Sequence, residues 1–393
     1  MKNIPILKIP PSATIAINSI ALEKIRAGET IYNLSAGEPM VPAPALATRA
    51  FIKAFKDGKT HYPSVAGIGD LREAAALWMN RRYGSHITKE NTLVTSGGKL
   101  GIFFLLQALL RPGDEVLIPA PCWVSYPGMV RLFRGSPKLI GTEEEAGWKI
   151  TPEDLKKNWT RKSKILILNN AGNPTGALYS KAEIKKIIRM ATRLGLFIIS
   201  DEVYSGLVYG KPFASCAGPG KLSANLAIIE SCSKSFAMTG FRLGFVFASP
   251  EIIKTLSSLA SQSTSGATTM CQYAALPVLK NAGSITKKIN AEMKRRRNVF
   301  VSELNKTFNS HIPLPEAGLY VFAPLRALGW QGKNSQEFCR LAIEKGGVAT
   351  VPGSAFGKEG YVRFSFGERS EIVIKGIHAL AKFIRENYQK NKK

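Results

Sequence analysis

The residues best placed to do covalent and acid–base chemistry stand at the ends of apolar runs. Lys234 lies in Ser231-Cys232-Ser233-Lys234, directly after the apolar run 226–230, with Arg242 eight residues further on. An amine held there is desolvated and close to a second cation. Both effects lower a lysine pKa and leave a nucleophile that can react with a carbonyl. Asp201 follows the run 197–200, where a carboxylate either caps the next turn or is kept as a buried counter-charge. Arg363 sits inside the otherwise apolar Tyr361-Val362-Arg363-Phe364. A buried guanidinium is costly unless it meets an anion, either an internal acid or a bound carboxylate gripped through two parallel hydrogen bonds. Ser96-Gly97-Gly98-Lys99 precedes a helical run, and such a Gly-Gly is either an ordinary turn or an amide cradle for phosphate. Lys99 is then a solvated lysine or a ligand for an anion, since a cation at a helix start opposes the macrodipole. Trp123, in Pro121-Cys122-Trp123-Val124-Ser125-Tyr126-Pro127, is either core or a stacking surface that excludes water.

These residues need a scaffold, and the middle of the chain supplies an alternating one. Short β-branched or apolar runs at 92–95, 115–119, 164–168, 197–200, 226–230 and 243–248 read as strands. Segments 71–82, 100–110 and 180–194 read as helices, the first with Asp70 placed to cap it. Strands alternating with helices of this length indicate βαβ units and a mainly parallel sheet, in which chemistry collects at the carboxyl ends of the strands. Ser96–Gly98, Trp123, Asn173, Asp201 and Lys234 all fall just after strands. From about residue 285 a long basic helix, short strands at 318–323 and 361–366 and a closing helix at 371–388 form a second, α+β part. The expected boundaries are a large domain over 46–285 and a small domain combining 1–45 with 286–393.

Composition narrows the class. The 393 residues are 45% hydrophobic and 21% charged, ordinary globular usage that excludes a disordered or fibrous chain. No apolar run approaches the roughly 20 residues of a membrane span, and the first residues lack a signal-peptide core. Five scattered cysteines and four isolated histidines, without a CxxC pair, argue against a disulfide framework or zinc cluster and for a reducing, cytoplasmic location. The charge of +26 raises nucleic acid as a partner. Its only dense clusters are Lys294-Arg295-Arg296-Arg297, in a helical segment, and the tail Lys390-Asn391-Lys392-Lys393. A basic surface facing anionic metabolites is the plainer explanation. No nucleic-acid or membrane partner and no metal is expected.

Four segments in order resemble the fold-type I, class I/II aminotransferases. They are Tyr62-Pro63-Ser64-Val65-Ala66-Gly67-Ile68, Asn173-Pro174-Thr175-Gly176, Ser200-Asp201-Glu202-Val203-Tyr204, and Ser231 through Arg242 around Lys234. The likeness runs from Leu34-Ser35-Ala36-Gly37-Glu38-Pro39 to Arg363. It implies a large domain with a mainly parallel seven-stranded sheet, pyridoxal 5′-phosphate as cofactor and a homodimer with shared sites. It further implies that Lys234 binds the cofactor aldehyde and shuttles a proton, and that Asp201 keeps the pyridine nitrogen protonated. Tyr204 and Asn173 would donate to the cofactor phenolate and Trp123 would stack on its ring. Gly98, Lys99, Ser231 and Arg242 would hold the phosphate, helped by Tyr62 from the second subunit. Arg363, the Gly37 amide, Asn173 and Trp123 would take the substrate, with Lys99 meeting the distal carboxylate of an acidic one. Aspartate and 2-oxoglutarate follow as the expected pair; aromatic or prephenate-type substrates, or a C–S β-lyase reaction, are the alternatives. The chain departs from the family pattern in the run Asn169-Asn170-Ala171-Gly172 before Asn173, which lacks the proline common there, at Phe241, where tryptophan is frequent, and at Ser265-Gly266. None of these removes a catalytic group.

Overall fold

The computed structural model describes residues 11–332 and 334–389. Its centre is a seven-stranded sheet built from β2 (Thr92–Thr95), β3 (Glu115–Ala120), β4 (Ser136–Gly141), β5 (Ser163–Asn169), β6 (Phe197–Asp201), β7 (Leu226–Ser231) and β8 (Gly244–Phe247), in the order β2-β8-β7-β6-β5-β3-β4. The block from β7 to β4 is parallel, and β8 runs antiparallel to both β7 and β2. The sheet is therefore mainly parallel, as the strand–helix alternation predicts. The antiparallel β7–β8 pair needs no crossover helix, so the segment between them stays at the carboxyl edge of the sheet, and that segment carries Lys234.

Both faces of the sheet are buried, which explains the near-continuous apolar runs. In β5, Leu166 and Leu168 pack into one cluster with Ile198, Ile228 and Phe247, while Ile165 and Ile167 pack into another with Val116, Ile199 and Val246. A third cluster, around Met293, Phe300, Tyr320, Phe364 and Leu380, is centred on the C-terminal part and takes in Leu34, Tyr204 and Leu207. There β9 (Tyr320–Pro324), β11 (Val351–Pro352) and β12 (Tyr361–Ser365) form an antiparallel sheet, and β1 (Tyr32–Asn33) pairs in parallel with β10 (Val348–Ala349). The helix Ala282–Phe308, 27 residues long and so about 40 Å in length, runs beneath this part.

Several expected elements shift for physical reasons. The helix Gly69–Tyr83 begins two residues before 71; its cap is Ile68, and Asp70 lies in the first turn, where an acid complements the macrodipole without capping. The helix Gly98–Leu109 opens at the glycine itself. The last helix ends at Ile384 and continues as a wider turn, Arg385–Gln389. Strand β4 escapes sequence reading because it is an edge strand with only Ile140 buried and a proline at 137. By contrast Ser180 and Glu183 make a reciprocal capping box at the helix Lys181–Arg193. The tail at 390–393 lies outside the described residues.

Candidate active site

The carboxyl ends of the parallel strands open onto a cavity of about 390 Å³. Trp123 reaches it from beyond β3, Asn169 from the end of β5 and Asn173 from the loop after it, Asp201 from the end of β6, Ser231 from the end of β7 and Lys234 from the helical turn Cys232–Ser235 that follows. Gly98 and Lys99 come from the helix after β2. The C-terminal part contributes Arg363 of β12 and Tyr320 of β9, and the N-terminal segment closes the wall with Ser35 to Glu38.

Lys234 is enclosed, and its Nζ donates a hydrogen bond to the Gly37 carbonyl. Burial is the main cause of its lowered pKa; Tyr320 and Glu38 pull the other way, and Arg363 and Arg242 add to the lowering. Arg242 is thus a lesser influence than its nearness in sequence suggests. Asp201 is 3% exposed. Its Oδ2 accepts from the Tyr126 hydroxyl at 2.5 Å, and its Oδ1 accepts from the Val203 amide at 3.4 Å. Burial still pushes its pKa up to about 6, against these two bonds and the charge of Lys234. A carboxylate so placed favours an added cation strongly. The Tyr204 and Tyr320 hydroxyls lie 2.8 Å apart, and burial first, then Tyr320, raises the Tyr204 pKa.

Arg363 is 2% exposed. It donates to Asn173 Oδ1 at 3.1 Å and to the Ser35 carbonyl at 2.8 Å, and its guanidinium lies 4.2 Å from the Tyr320 ring centre. These partners are neutral, and Nε has no hydrogen-bond partner among the described residues. A desolvated guanidinium with a spare donor, facing a cavity, is suited to receive a carboxylate.

The helix start beside β7 and β8 is tightly built. Gly97 has φ of +87°, and a Cβ there would collide with the Arg242 guanidinium. At Gly98 a Cβ would come within 3.1 Å of Ile229. Ser231 donates to the Leu243 carbonyl at 3.0 Å and accepts from the Ser233 amide at 3.1 Å. Arg242 donates to the Thr239 carbonyl at 2.9 Å. Together the helix amides, Ser231, Ser233 and Arg242 make a cationic, donor-rich pocket of the kind that holds a phosphate. Lys99 leans over Trp123, 4.8 Å from the ring centre, and burial, with Arg242 second, lowers its pKa.

The chain matches the family described as aminotransferase class I and II over residues 29–377. It belongs to that family. A probable aspartate/prephenate aminotransferase of Aquifex aeolicus is 36% identical, covering 96% of this chain and 97% of its own. An aspartate aminotransferase of Streptomyces avermitilis is 33% identical over 96% of this chain and 95% of its own. Among solved structures, the Thermus thermophilus aspartate aminotransferase with maleate superposes with a TM-score of 0.91 at 34% identity, over 97% of this chain and 100% of that one. The chain is an aminotransferase of the fold-type I architecture.

Of the site residues named from sequence, this aminotransferase brings all but Tyr62 to the cavity wall. Tyr62 is 88% exposed and stands apart. Gly37 is at the wall, but its carbonyl, rather than its amide, is what meets Lys234. Among the wall residues that sequence reading missed, Tyr126, Tyr320 and Glu38 carry the chemistry. Tyr126 stands three residues after Trp123 at a helix start, a spacing that returns it to the same side. Tyr320 lies two residues from Phe322, the register partner of Arg363, and so shares its face. Glu38 follows Gly37 directly. The basic cluster at 294–297 is largely spent internally. Arg296 bonds Glu292 and the carbonyls of Met40 and Gly367. Arg297 bonds the Pro315 carbonyl and stacks 4.6 Å from the Tyr209 ring centre.

Proposed function

We propose that this aminotransferase uses pyridoxal 5′-phosphate and moves the amino group of aspartate to 2-oxoglutarate in two alternating half-reactions. One observation carries the reading: a buried amine (Lys234), a buried carboxylate short of a cation (Asp201) and a buried guanidinium with a spare donor (Arg363) face one cavity beside a phosphate-type cradle.

When bound, the cofactor supplies an aldehyde for amines and a ring that withdraws electrons from the substrate Cα. Asp201 would hold the ring nitrogen protonated, positioned by Tyr126. Gly98, Lys99, Ser231 and Arg242 would take the phosphate, Asn173 and Tyr204 would donate to the ring oxygen, and Trp123 would cover the ring and exclude water. Lys234 Nζ, its pKa lowered by burial, would take the Cα proton and give it back. Arg363 would grip the α-carboxylate, assisted by Asn173, Trp123 and the Gly37 backbone. The Lys99 ammonium would meet the distal carboxylate of an acidic substrate. Tyr62, exposed here, would reach the phosphate of a second copy in a homodimer. Segments 46–285 would form the large domain, and 1–45 with 286–393 the small one, a division supported by Leu34 packing in one core cluster with Phe300 and Phe364, which Tyr204, Leu207 and Tyr209 of the large domain adjoin. Five free, buried cysteines support a cytoplasmic location. No helix among the described residues is long and apolar enough to cross a membrane.

A second acceptor is worth assaying. The ammonium of Lys99 stands against the indole of Trp123, a pairing that suits a substrate with both a ring and a carboxylate, and the Aquifex relative carries prephenate in its name.

The test is the visible absorbance of the protein supplied with pyridoxal phosphate, followed through addition of aspartate and then 2-oxoglutarate. The cofactor band should fall with aspartate and return with the keto acid. Replacing Lys234 by Ala should lower turnover by about 10³-fold or more. A band that ignores aspartate and answers another amino acid would discard the specificity. Failure to acquire any band would discard the cofactor.

A further inference from the structure

The cavity wall carries four cationic side chains, Lys99, Lys234, Arg242 and Arg363, against two acids, Asp201 and Glu38. Asp201 is engaged by Tyr126. Glu38 is the acid left to answer the arginines, and it is held in place. Its Oε2 accepts from the Thr239 hydroxyl at 2.5 Å, and the Thr239 carbonyl accepts in turn from Arg242. On one side of Glu38, the Gly37 carbonyl receives Lys234 Nζ. On the other, the Met40 amide donates to the Gly367 carbonyl at 2.9 Å, and the buried Arg296 clamps both the Met40 and Gly367 carbonyls. The partner of the Glu38 carboxylate is a neutral hydroxyl, which leaves its charge to act across the cavity.

The charged and titratable groups facing Lys234 come from several elements. They are Tyr320 on β9, Arg363 on β12, Arg242 ahead of β8, Asp201 at the end of β6 and Glu38 on the N-terminal segment, with Tyr204, bonded to Tyr320, and Lys99 on the same cavity wall. Burial first, and after it the two arginines, drive protons off the amine; Tyr320 and then Glu38, the one carboxylate of the two, draw them on. An amine that must both leave its proton and take one from a carbon acid works best with these influences nearly balanced. We propose that Glu38 is a positioning residue for Lys234, its carboxylate, fixed by Thr239, offsetting Arg363 and Arg242 so that the amine can hold the substrate's proton.

This rests on Lys234 being the lysine that joins the cofactor, which borohydride reduction of the loaded protein and peptide mapping decide separately: label on another lysine sinks that reading and not the effect of Glu38 on the amine. The effect itself is read by competitive acetylation of Lys234 across pH in the full-length protein without cofactor. A second reading comes from the visible-absorbance pH titration of the loaded protein. Glu38→Gln keeps the size and the bond to Thr239 and removes the charge, so both midpoints should fall by about 1 pH unit, tenfold in the dissociation constant. Glu38→Asp keeps the charge and should restore most of the difference. Midpoints in Glu38→Gln that coincide with the unsubstituted protein overturn the proposal. So does a variant that loses thermal stability while its midpoints stay put, because that is what a purely structural tie to Thr239 would do.

Discussion

Replacing Asp201 by Asn should stabilise the cofactor-free chain at neutral pH and leave it without that gain at pH 4. Asp201 is 3% exposed, and even with the 2.5 Å hydrogen bond from Tyr126 burial raises its pKa from the ordinary 3.8 to about 6. The folded state therefore binds the proton more tightly than the unfolded state between roughly pH 4 and pH 6. Stability falls as pH rises through that window and is level above it. A gap of about 2 pH units corresponds to about 3 kcal/mol, which the folded chain gives up to keep the carboxylate ionised. Asn has the same shape, can still accept from Tyr126, and carries no such cost. Urea denaturation of both proteins from pH 4 to pH 8 isolates the effect. The difference between them should move by about 3 kcal/mol in favour of Asp201→Asn by pH 7. Glu202 and Glu230, which burial raises to about 7 and about 8, impose slopes of the same sign on both proteins, and these cancel in the difference. Pyridoxal phosphate should reverse the order, since a protonated ring nitrogen gives the ionised Asp201 its counter-charge. A difference that does not change with pH in the cofactor-free chain would refute the reasoning. Equal stabilisation of both proteins by the cofactor would detach Asp201 from the cofactor ring.

Two other substitutions probe the substrate and phosphate ends of the cavity. Arg363→Lys loses the planar fork that reaches Asn173 and the Ser35 carbonyl; losing a charge-assisted bond of about 2 kcal/mol should raise KM for aspartate about 30-fold, with the visible band retained. Gly97→Ala forces an L-residue to φ of +87° and drives a methyl group into Arg242. Cofactor dissociation, followed by equilibrium dialysis, should become at least about 10-fold more favourable, and unchanged affinity would remove Arg242 and the helix start from the cradle.

How much of this was legible in the chain depends on the range of the signal. Strand β5 declares itself because both its faces are buried, so every second-neighbour rule collapses into one apolar run. The helix Lys181–Arg193 declares itself because Ser180 and Glu183 bond each other's backbone three residues apart. Strand β4 does not, since its pairing with β3 is through backbone groups and its side chains are mostly solvated. Asp70 misled because a good capping residue was available one position inside the helix that actually formed. The run at 294–297 lies in a helix, as its sequence indicates, and is a basic surface only in part. Four consecutive basic residues point to four directions around a helix, and two of those directions, at Arg296 and Arg297, face inward, each 6% exposed.

The sequence by itself determined which chemistry was available: an amine, a carboxylate and a glycine-rich helix start, each placed by short-range pattern just after an apolar strand, and a guanidinium set inside one. Tertiary structure alone decided how those groups act on one another. Lys234 meets the Gly37 carbonyl across 197 residues of chain, and Arg363 meets Asn173 across 190. Tyr126 reaches Asp201 across 75 residues. Periodicity and capping are properties of neighbours within a few positions, whereas desolvation and Coulomb interaction depend only on distance in space. The state of Lys234, the elevated affinity of Asp201 for its proton and the part assigned to Glu38 arise only when distant stretches of chain close around one cavity.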